Sequence, residues 1–359
     1  MQIAMLIAAG SRFSGMAKLT GERLARAMAS KQFRDGKFHN TSGATAGLEG
    51  PSGGVMWDFF FGRRKRVPKG PIPIVNPLEA WKTAPSSGLR VTWLGHSTLL
   101  LEIDGVRVLI DPVWCERASP VRFAGPKRFH AVPVFIEALP RLDAVLLSHD
   151  HHDHLCPSSV AALAKRRVPF VTSLGVGVHL ERFGVHPSDI TELDWGEDHA
   201  IATGALTITA TPAQHFSGRG LFDRGTTLWS SFVLSTSKRR VFYSADTGPT
   251  AELADIGARF GPFDLCIIEI GAWHPAWGSI HLGPQRALDA FDQLGGGIFL
   301  PVHWATFDLA LHPWDEPAET LVALAKGRGG RIITPLIGEP VEPSKVEGPN
   351  PWWRSVRRR

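Results

Sequence analysis

The chain has 359 residues, of which 43% are hydrophobic, and a formal net charge of +5 at pH 7. This length and composition exclude a disordered chain and allow one large α/β domain with extensions or two smaller domains. The modest positive charge favours anionic partners, and nucleic acid, lipid phosphate and small phosphoesters all stay open.

The cysteines and the amino-terminal residues bear on the compartment. Cys115, Cys156 and Cys266 are far apart in sequence and odd in number, so we expect no disulfide and a reducing compartment, the cytoplasm. Residues 1–10 are apolar, but no basic region precedes them and the run is too short to cross a bilayer. They therefore predict neither a signal peptide nor a transmembrane helix.

The first part of the chain, residues 1–88, is rich in Gly, Ser and Pro and is predicted to wrap the main body as a partly irregular extension. Within it, residues 16–30 have the spacing of a short amphipathic helix. An aromatic run at 57–61 is followed by a basic cluster at 63–66, a combination that suits a lipid headgroup interface as well as a solvated segment.

A regular pattern of strands and helices begins at residue 89. The first three strands are predicted at 90–94, 97–103 and 106–110, the last two joined by a hairpin turn at Asp104-Gly105. Further strands are predicted at 142–148, 168–172, 206–210, 231–234, 240–244, 265–270 and 297–301, and helices at 157–167, 250–259 and 284–294. This order predicts a domain over 89–340 in which two sheets lie between helices.

The last part of the chain, residues 341–359, is predicted to be a basic tail that contains Trp352 and Trp353. Tryptophans beside arginines suit a membrane surface, and a solvated tail is the alternative.

The most informative segment follows the fourth predicted strand, where residues 149–154 hold four histidines and two aspartates. Imidazole nitrogens and carboxylate oxygens are the ligands that suit Zn²⁺ and related ions. Alternate residues of an extended segment project to one side, so His149 and His151 can bind one ion. Asp153 and His154 can then turn toward a second ion. A histidine-rich surface loop is the alternative, and the buried strand before the segment disfavours it.

Two metal ions need more ligands than this segment offers, and the sequence supplies candidates. His215, Asp246 and His303 each follow an apolar strand, where strand ends converge on one rim. The carboxylate of Asp246 has two oxygens and can bridge two ions. Taken singly, each histidine could be an ordinary hydrogen-bonded residue and Asp246 a turn residue, but the ordered combination favours a metal site.

Four of these segments together resemble the metallo-β-lactamase superfamily: S-H-D-H-H-D-H-L at 148–155, T-P-A-Q-H at 211–215, S-A-D-T-G at 244–248 and P-V-H-W at 301–304. Within that superfamily the chain is most similar to the N-acyl-phosphatidylethanolamine-hydrolysing phospholipase D family, over roughly residues 68–325. The resemblance implies an αββα sandwich with two Zn²⁺ ions at its rim, and a homodimer.

The resemblance also implies a role for each candidate residue. It implies that one zinc ion is held by His149, His151 and His215. It implies that the other is held by Asp153, His154 and His303, with Asp246 bridging the two and taking part in catalysis.

His281 resembles a further active-site histidine of the phospholipase family, implied to handle the substrate phosphate or a proton. A cap on the helix predicted near Pro284 is the alternative for this residue. The true lactamases have a cysteine ligand where this chain has Asp246, and none of the three cysteines stands at a ligand position. Antibiotic hydrolysis is therefore not expected.

The sequence thus favours hydrolysis of a lipid phosphodiester by a hydroxide generated at the metals, giving phosphatidic acid and an N-acylethanolamine. Peripheral contact with the membrane is compatible with this hypothesis. The alternatives are a dizinc lactonase, a soluble phosphodiesterase of the same superfamily, and a non-catalytic module that binds the membrane surface. No nucleic-acid motif is present, so nucleic acid is not an expected partner.

Other residues near the predicted site receive weaker interpretations. His96 could approach the site, although a structural hydrogen bond is favoured, and His152 is expected to face away from the metals. Trp273 and Trp277 are candidates for an apolar wall. Arg219 and Arg224 could contact an anionic headgroup, and the alternative is that they are ordinary surface charges.

Overall fold

The computed structural model describes residues 18–45, 66–220, 222–274, 277–328 and 330–356. Two seven-stranded β-sheets pack face to face, and helices cover the outer face of each sheet. The predicted αββα sandwich is confirmed.

The strands are β1 (Phe33–Arg34), β2 (Lys37–Phe38), β3 (Leu89–Gly95), β4 (Thr98–Ile103), β5 (Val106–Ile110), β6 (Ala144–Leu147), β7 (Phe170–Ser173), β8 (Ile190–Leu193), β9 (Asp198–Ile201), β10 (Leu206–Thr211), β11 (Ser231–Ser235), β12 (Arg240–Tyr243), β13 (Leu265–Glu269), β14 (Ile298–Val302), β15 (Arg331–Ile332) and β16 (Pro340–Val341). The α-helices are α1 (Gly21–Ala29), α2 (Pro157–Ala164), α3 (Gly177–Arg182), α4 (Glu252–Phe260), α5 (Gly283–Gln293) and α6 (Glu316–Leu324).

The strand order explains why one rim of the sandwich collects the ends of so many strands. The first sheet has the order β16-β3-β4-β5-β6-β7-β8, and β5 to β8 are parallel. The second sheet has the order β15-β14-β13-β12-β11-β10-β9, and β12 to β15 are parallel. Residues that follow β6, β10, β12 and β14 are in contact, so the carboxyl ends of strands from both sheets meet at one rim.

Alternating side chains of the first sheet fill two separate layers of the core. Leu99 and Leu101 of β4 lie between the two sheets, whereas Leu100 lies on the outer face, in the cluster formed with α2 and α3. Because both faces are covered, these strands are continuous apolar runs rather than alternating ones. Burying each such leucine stabilises the fold by about 1.5–3 kcal/mol.

Most predicted elements are present, and the predicted turn between β4 and β5 has the expected backbone. Asp104 and Gly105 both have positive φ, 45° and 90°, as a tight two-residue hairpin requires. Among the strands and α-helices named above, eight have no counterpart in the prediction: β1, β2, β8, β9, β15, β16, α3 and α6.

The expectation that the chain contains no disulfide is wrong. Cys115 and Cys156 are bonded, with their Cα atoms 5.9 Å apart, although 41 residues separate them in sequence. The physical reason is topological, because Cys115 lies in the loop after β5 and Cys156 in the loop after β6, and these two strands are parallel neighbours. Cys266 is a free and buried cysteine.

The interpretation of Trp352 and Trp353 as a headgroup interface or a solvated tail is also wrong. Both side chains are buried, Trp353 completely. Trp352 stacks on Trp304 with ring centroids 5.4 Å apart. Trp353 donates a hydrogen bond from Nε1 to Glu319 Oε2 over 2.8 Å. The described part of the carboxyl-terminal segment is therefore packed into the core.

The predicted aromatic run at 57–61 and most of the basic cluster at 63–66 lie outside the described residues. Arg66 is the described member of that cluster, and its Nε lies 3.6 Å from Asp308 Oδ2. The predicted helix at 16–30 is observed as α1, over a shorter range. In the described ranges of the chain, no helix is both long and apolar enough for a bilayer crossing.

We predict that Trp353→Ala lowers the free energy of unfolding by about 3–5 kcal/mol, because it leaves a large cavity and removes the hydrogen bond to Glu319. Chemical denaturation followed by intrinsic fluorescence measures the change. Phe135→Ala is the matched control, since Phe135 is 82% exposed and its loss should change stability by less than about 0.5 kcal/mol. Equal effects of both substitutions would contradict the burial of Trp353.

Candidate metal centre

The first group of donor atoms lies where the chain leaves β6. The distance from His149 Nε2 to His151 Nδ1 is 2.9 Å, and that from His151 Nδ1 to His215 Nε2 is 3.2 Å. Asp246 Oδ2 lies 3.8 Å from His149 Nε2 and 3.6 Å from His215 Nε2. Four ligands about 2.0–2.1 Å from a tetrahedral zinc ion are separated from each other by about 3.3 Å. These four residues could therefore hold a metal ion.

A second group of donor atoms lies beside the first. His303 Nε2 is 3.4 Å from Asp153 Oδ2, and His96 Nε2 is 3.0 Å from the same oxygen. His154 Nε2 lies 3.8 Å from Asp153 Oδ2. His96, Asp153, His154 and His303 form a second group that could hold a metal ion.

The carboxylate of Asp246 connects the two groups. Its Oδ1 lies 3.1 Å from His154 Nε2, and its Oδ2 lies 3.2 Å from His303 Nε2 as well as facing His149 and His215. Asp246 is 2% exposed, so water does not replace these contacts. A carboxylate in this position can contribute one oxygen to each of two ions.

Several of these buried atoms have no hydrogen-bond partner. They include His154 Nε2, Asp246 Oδ1 and His303 Nε2. A buried polar atom without a partner is costly, and in native proteins it commonly marks an ion or water. His154 Nε2 faces Asp246 Oδ1, and His303 Nε2 faces the other oxygen of the same carboxylate. Cations bound among these atoms would satisfy them, so the residues fit a metal ion.

The electrostatics of the two groups differ. Burial, followed by neighbouring histidines, holds the pKa of His149 well below its usual value, which keeps this imidazole in the neutral form that ligates metals. Burial also acts on His303, but Asp246 and Asp153 outweigh it and raise its pKa to about 10. The carboxylates thus favour positive charge at the second group, and a divalent ion bound there would have to displace a proton.

Asp111, which follows β5, orients the second group from behind. Its Oδ2 lies 2.7 Å from His154 Nδ1 and accepts a hydrogen bond from Tyr243 Oη over 2.5 Å. Ser148 donates to both carboxylate oxygens, through its backbone N–H and its hydroxyl. A carboxylate bonded to the far nitrogen of a ligating histidine fixes its tautomer and orientation.

In the first group, two of the three histidines also have the far ring nitrogen bonded to a protein oxygen. His149 Nδ1 lies 2.9 Å from Ser148 Oγ, and His215 Nδ1 lies 2.9 Å from the carbonyl of Ile280. The Asn40 side chain accepts from the backbone N–H of His215 and donates to its carbonyl, over 3.0 and 2.8 Å. The ring nitrogens that face Asp246 are left as free donors for a metal.

Several non-glycine residues at this rim have left-handed backbone conformations, among them His96, Asp111 and His303. The φ angles are 53° for His96, 39° for Asp111 and 66° for His303. Such conformations cost about 1–3 kcal/mol each and persist where the surroundings impose them, commonly at functional sites.

The matches to known proteins agree with this geometry. The family model of the beta-lactamase superfamily domain matches residues 106–304, more than half of the chain. The chain belongs to the metallo-β-lactamase superfamily. It is a metal-dependent hydrolase of that superfamily. The matched range contains both groups of donor atoms except His96.

Two relatives align with most of this chain. An uncharacterized protein of Mycobacterium tuberculosis is 45% identical over 305 residues, which are 84% of this chain and 80% of the relative. The N-acyl-phosphatidylethanolamine-hydrolyzing phospholipase D 1 of Caenorhabditis elegans is 35% identical over 290 residues, 77% of this chain and 81% of the relative. A solved structure of a metallo hydrolase from Ignicoccus hospitalis covers 70% of this chain and 97% of its own, with a TM-score of 0.54 and 22% identity, and it shares the fold.

All seven residues predicted as metal ligands in this hydrolase lie in the two groups. His152 faces away, as expected, with Nε2 3.0 Å from the carbonyl of Arg219. The interpretation of Arg219 as a headgroup contact or surface charge is wrong, because its guanidinium is buried and donates to the carbonyls of Asp150 and Leu155. Arg224 lies over the ring of Phe216, 4.8 Å from its centroid.

Sequence reasoning undervalued His96 and missed Asp111 and Glu269. All three stand at strand ends of the same rim, the position that identified the other candidates. Asp111 directly follows the apolar strand β5, so the strand-end rule applied to aspartates would have found it. Glu269 is the last residue of β13, where a charged residue ends an otherwise apolar strand.

His281 lies beside the two groups and borders a cleft of about 310 Å³. Its Nδ1 is 2.8 Å from Glu269 Oε2, and its ring centroid is 5.0 Å from that of His215 and 5.2 Å from that of His303. The two tryptophans predicted as an apolar wall, Trp273 and Trp277, line this cleft.

We predict that Asp111→Asn weakens Zn²⁺ binding about 10–100-fold, because the amide cannot accept hydrogen bonds at both positions and releases His154 from its orientation. Competition with a chromophoric chelator measures the affinity. The matched control is Asp255→Asn, an exposed aspartate of α4, which should leave the affinity unchanged. Unchanged affinity in Asp111→Asn would show that Asp111 does not support a metal ligand.

Proposed function

We propose that this chain is a dizinc phosphodiesterase that hydrolyses N-acyl-phosphatidylethanolamine-like lipids to phosphatidic acid and N-acylethanolamine. The observation that carries the proposal is the pair of donor groups joined by Asp246, with His281 and a cleft beside them. The similarity to the Caenorhabditis elegans phospholipase D, which extends over 77% of this chain, supports the choice of substrate.

The proposal assigns one ion to each donor group. The residues proposed to hold the first zinc ion are His149, His151 and His215. The residues proposed to hold the second are Asp153, His154 and His303, with Asp246 shared between the ions. Two zinc ions bound here would supply Lewis acidity toward the phosphoryl oxygens and an activated water.

His281 is the residue proposed to move protons. Hydrolysis joins the oxygen of water to phosphorus and breaks the bond from phosphorus to the ethanolamine oxygen. His281 Nε2 accepts the proton that the attacking water loses and returns it to the departing alkoxide, so no net proton is taken from the protein. The contact of its Nδ1 with Glu269 leaves Nε2 available for this role.

The walls of the cleft support an apolar substrate. Trp273, Trp277, Leu282 and Pro284 line it, and Arg286 stands among them. Aromatic and aliphatic walls with one cation suit a molecule that has acyl chains and a phosphate.

A second surface supports contact with an anionic lipid surface. Leu24 and Met28 of α1 and Phe222 are among the exposed large hydrophobic residues and line one groove, together with Lys18 and Arg34. Apolar side chains beside cations suit the headgroup region of a membrane that contains anionic lipids.

This apolar and basic groove is close to the candidate metal centre. Phe222 belongs to the loop that follows His215, and Gly218 in the same loop donates to Asp150 Oδ1 over 2.8 Å. Asn40, which follows the segment that lines the groove, is bonded to the backbone of His215. These bonds connect the segments beside the groove to the candidate metal centre.

We predict that zinc-loaded protein converts N-acyl-phosphatidylethanolamine to phosphatidic acid and N-acylethanolamine, with both products quantified by mass spectrometry. His149→Ala should lower the rate by more than about 100-fold through the loss of a metal ligand. His186→Ala is the matched control, an exposed histidine away from the donor groups, and should keep the rate within about twofold.

The proposed function fails if the zinc-loaded protein leaves this lipid intact. Hydrolysis of bis(p-nitrophenyl) phosphate alone would retain the phosphodiesterase and reject the lipid substrate. Hydrolysis of a lactone panel in place of both diesters would favour the lactonase alternative.

We predict that Met28→Asp combined with Phe222→Asp lowers the fraction bound to vesicles containing phosphatidylglycerol about 10-fold, because two exposed apolar side chains that would enter the lipid surface are replaced by charged ones. Cosedimentation measures the bound fraction. Phe135→Asp, another exposed phenylalanine, is the matched control and should bind like the unaltered protein. Equal binding by all three proteins would remove the groove from the proposal.

A further inference from the structure

We propose that Glu269 is a positioning residue of the reaction, which holds the imidazole of His281 through Nδ1 so that Nε2 faces the substrate. The inference rests on the proposed function for the role of His281, but the contact itself is a property of the structure. Glu269 is completely buried, and its Oε2 lies 2.8 Å from His281 Nδ1.

The carboxylate of Glu269 is itself fixed in place. Its Oε1 accepts hydrogen bonds from the backbone N–H groups of Thr247, over 2.9 Å, and Leu282, over 3.3 Å. Thr247 directly follows Asp246, and Leu282 directly follows His281. One buried side chain therefore connects the loop of the shared carboxylate to the segment that carries the proton-transferring histidine.

The pairing has a direct chemical consequence for His281. A buried carboxylate accepts hydrogen bonds and cannot donate, so the nitrogen that faces it must carry the hydrogen. His281 therefore has its hydrogen on Nδ1 and an open acceptor at Nε2. A carboxylate in this position also stabilises the imidazolium that exists while His281 carries the proton from water.

Two other roles for Glu269 are distinguishable from this one. Asp246, Glu269, His281 and His303 also form a group that could hold a metal ion. In addition, Glu269 Oε2 lies 3.8 Å from His303 Nδ1, which has no hydrogen-bond partner. The contact with His281 is 1.0 Å shorter than that with His303, and this difference favours His281 as the partner.

The test uses Glu269→Gln, which keeps the size of the side chain and an oxygen for the backbone N–H groups. We expect unchanged zinc content, a kcat about 100-fold lower, and a KM changed by less than about twofold. The loss should be smaller for bis(p-nitrophenyl) phosphate, whose leaving group needs no proton. The combined variant Glu269→Gln and His281→Asn should be no slower than His281→Asn alone, because both act through one imidazole.

A spectroscopic measurement separates this inference from the proposed function. In ¹⁵N-labelled, zinc-loaded protein, the resonances absent from His281→Asn belong to His281 and should show the tautomer with hydrogen on Nδ1. In Glu269→Gln, the amide N–H₂ can face that nitrogen, and we expect a shift toward hydrogen on Nε2. The tautomer of His281 in the unaltered protein can be measured without lipid hydrolysis, and it does not depend on whether Glu269→Gln folds.

Several outcomes would overturn the inference. Hydrogen on Nε2 of His281 in the unaltered protein contradicts the pairing, whatever the activity. Loss of zinc from Glu269→Gln would show that Glu269 acts on the metal centre rather than through His281, and additive losses in the combined variant would show that it acts independently of His281. If no phosphodiester is hydrolysed but the tautomer is as expected, the proposed function fails while the pairing stands.

Discussion

Burial of several carboxylates at one rim is the constraint on which the rest of the site depends. Asp111, Asp246 and Glu269 are almost or completely inaccessible to water. An ionised carboxylate loses a large hydration energy on burial and must be compensated by hydrogen bonds or positive charge. Asp111 and Glu269 receive donors from the protein, whereas Asp246 faces mainly imidazole nitrogens. Because the buried carboxylate of Asp246 is stabilised by positive charge, this rim favours the binding of cations.

The sandwich brings these buried carboxylates together because both sheets have them at the ends of their strands. Strands are rigid, and both their faces are covered, so side chains just beyond them are held with little freedom. His96, Asp111 and His303 occupy left-handed backbone conformations there, which the core on either side must impose. The packing of leucines, valines and phenylalanines in the two core layers thus offsets the energetic cost of these backbone conformations at the site.

Sequence patterns predicted the candidate site more completely than the periphery. A ligand-type residue after an apolar strand is a local signal, and it found His149, His215, Asp246 and His303 without knowledge of strand order. The Cys115–Cys156 bond depends on which strands are neighbours, and burial of Trp353 depends on where the last segment packs, so neither follows from local pattern. Helix α3 has six residues, too few to show a helical period. Helix α6 begins with Glu316-Pro317, a start signal that could have been recognised.

Asn40 lies outside the residues that match the superfamily domain, yet it is bonded to His215, a candidate metal ligand inside them. His215 has both of its backbone groups engaged by a residue that lies 175 positions earlier. A fragment trimmed to the recognisable sandwich would leave these two buried groups without partners, next to a metal ligand. The segment before the sandwich therefore helps to shape the rim, although it lies outside the range that matches the superfamily domain.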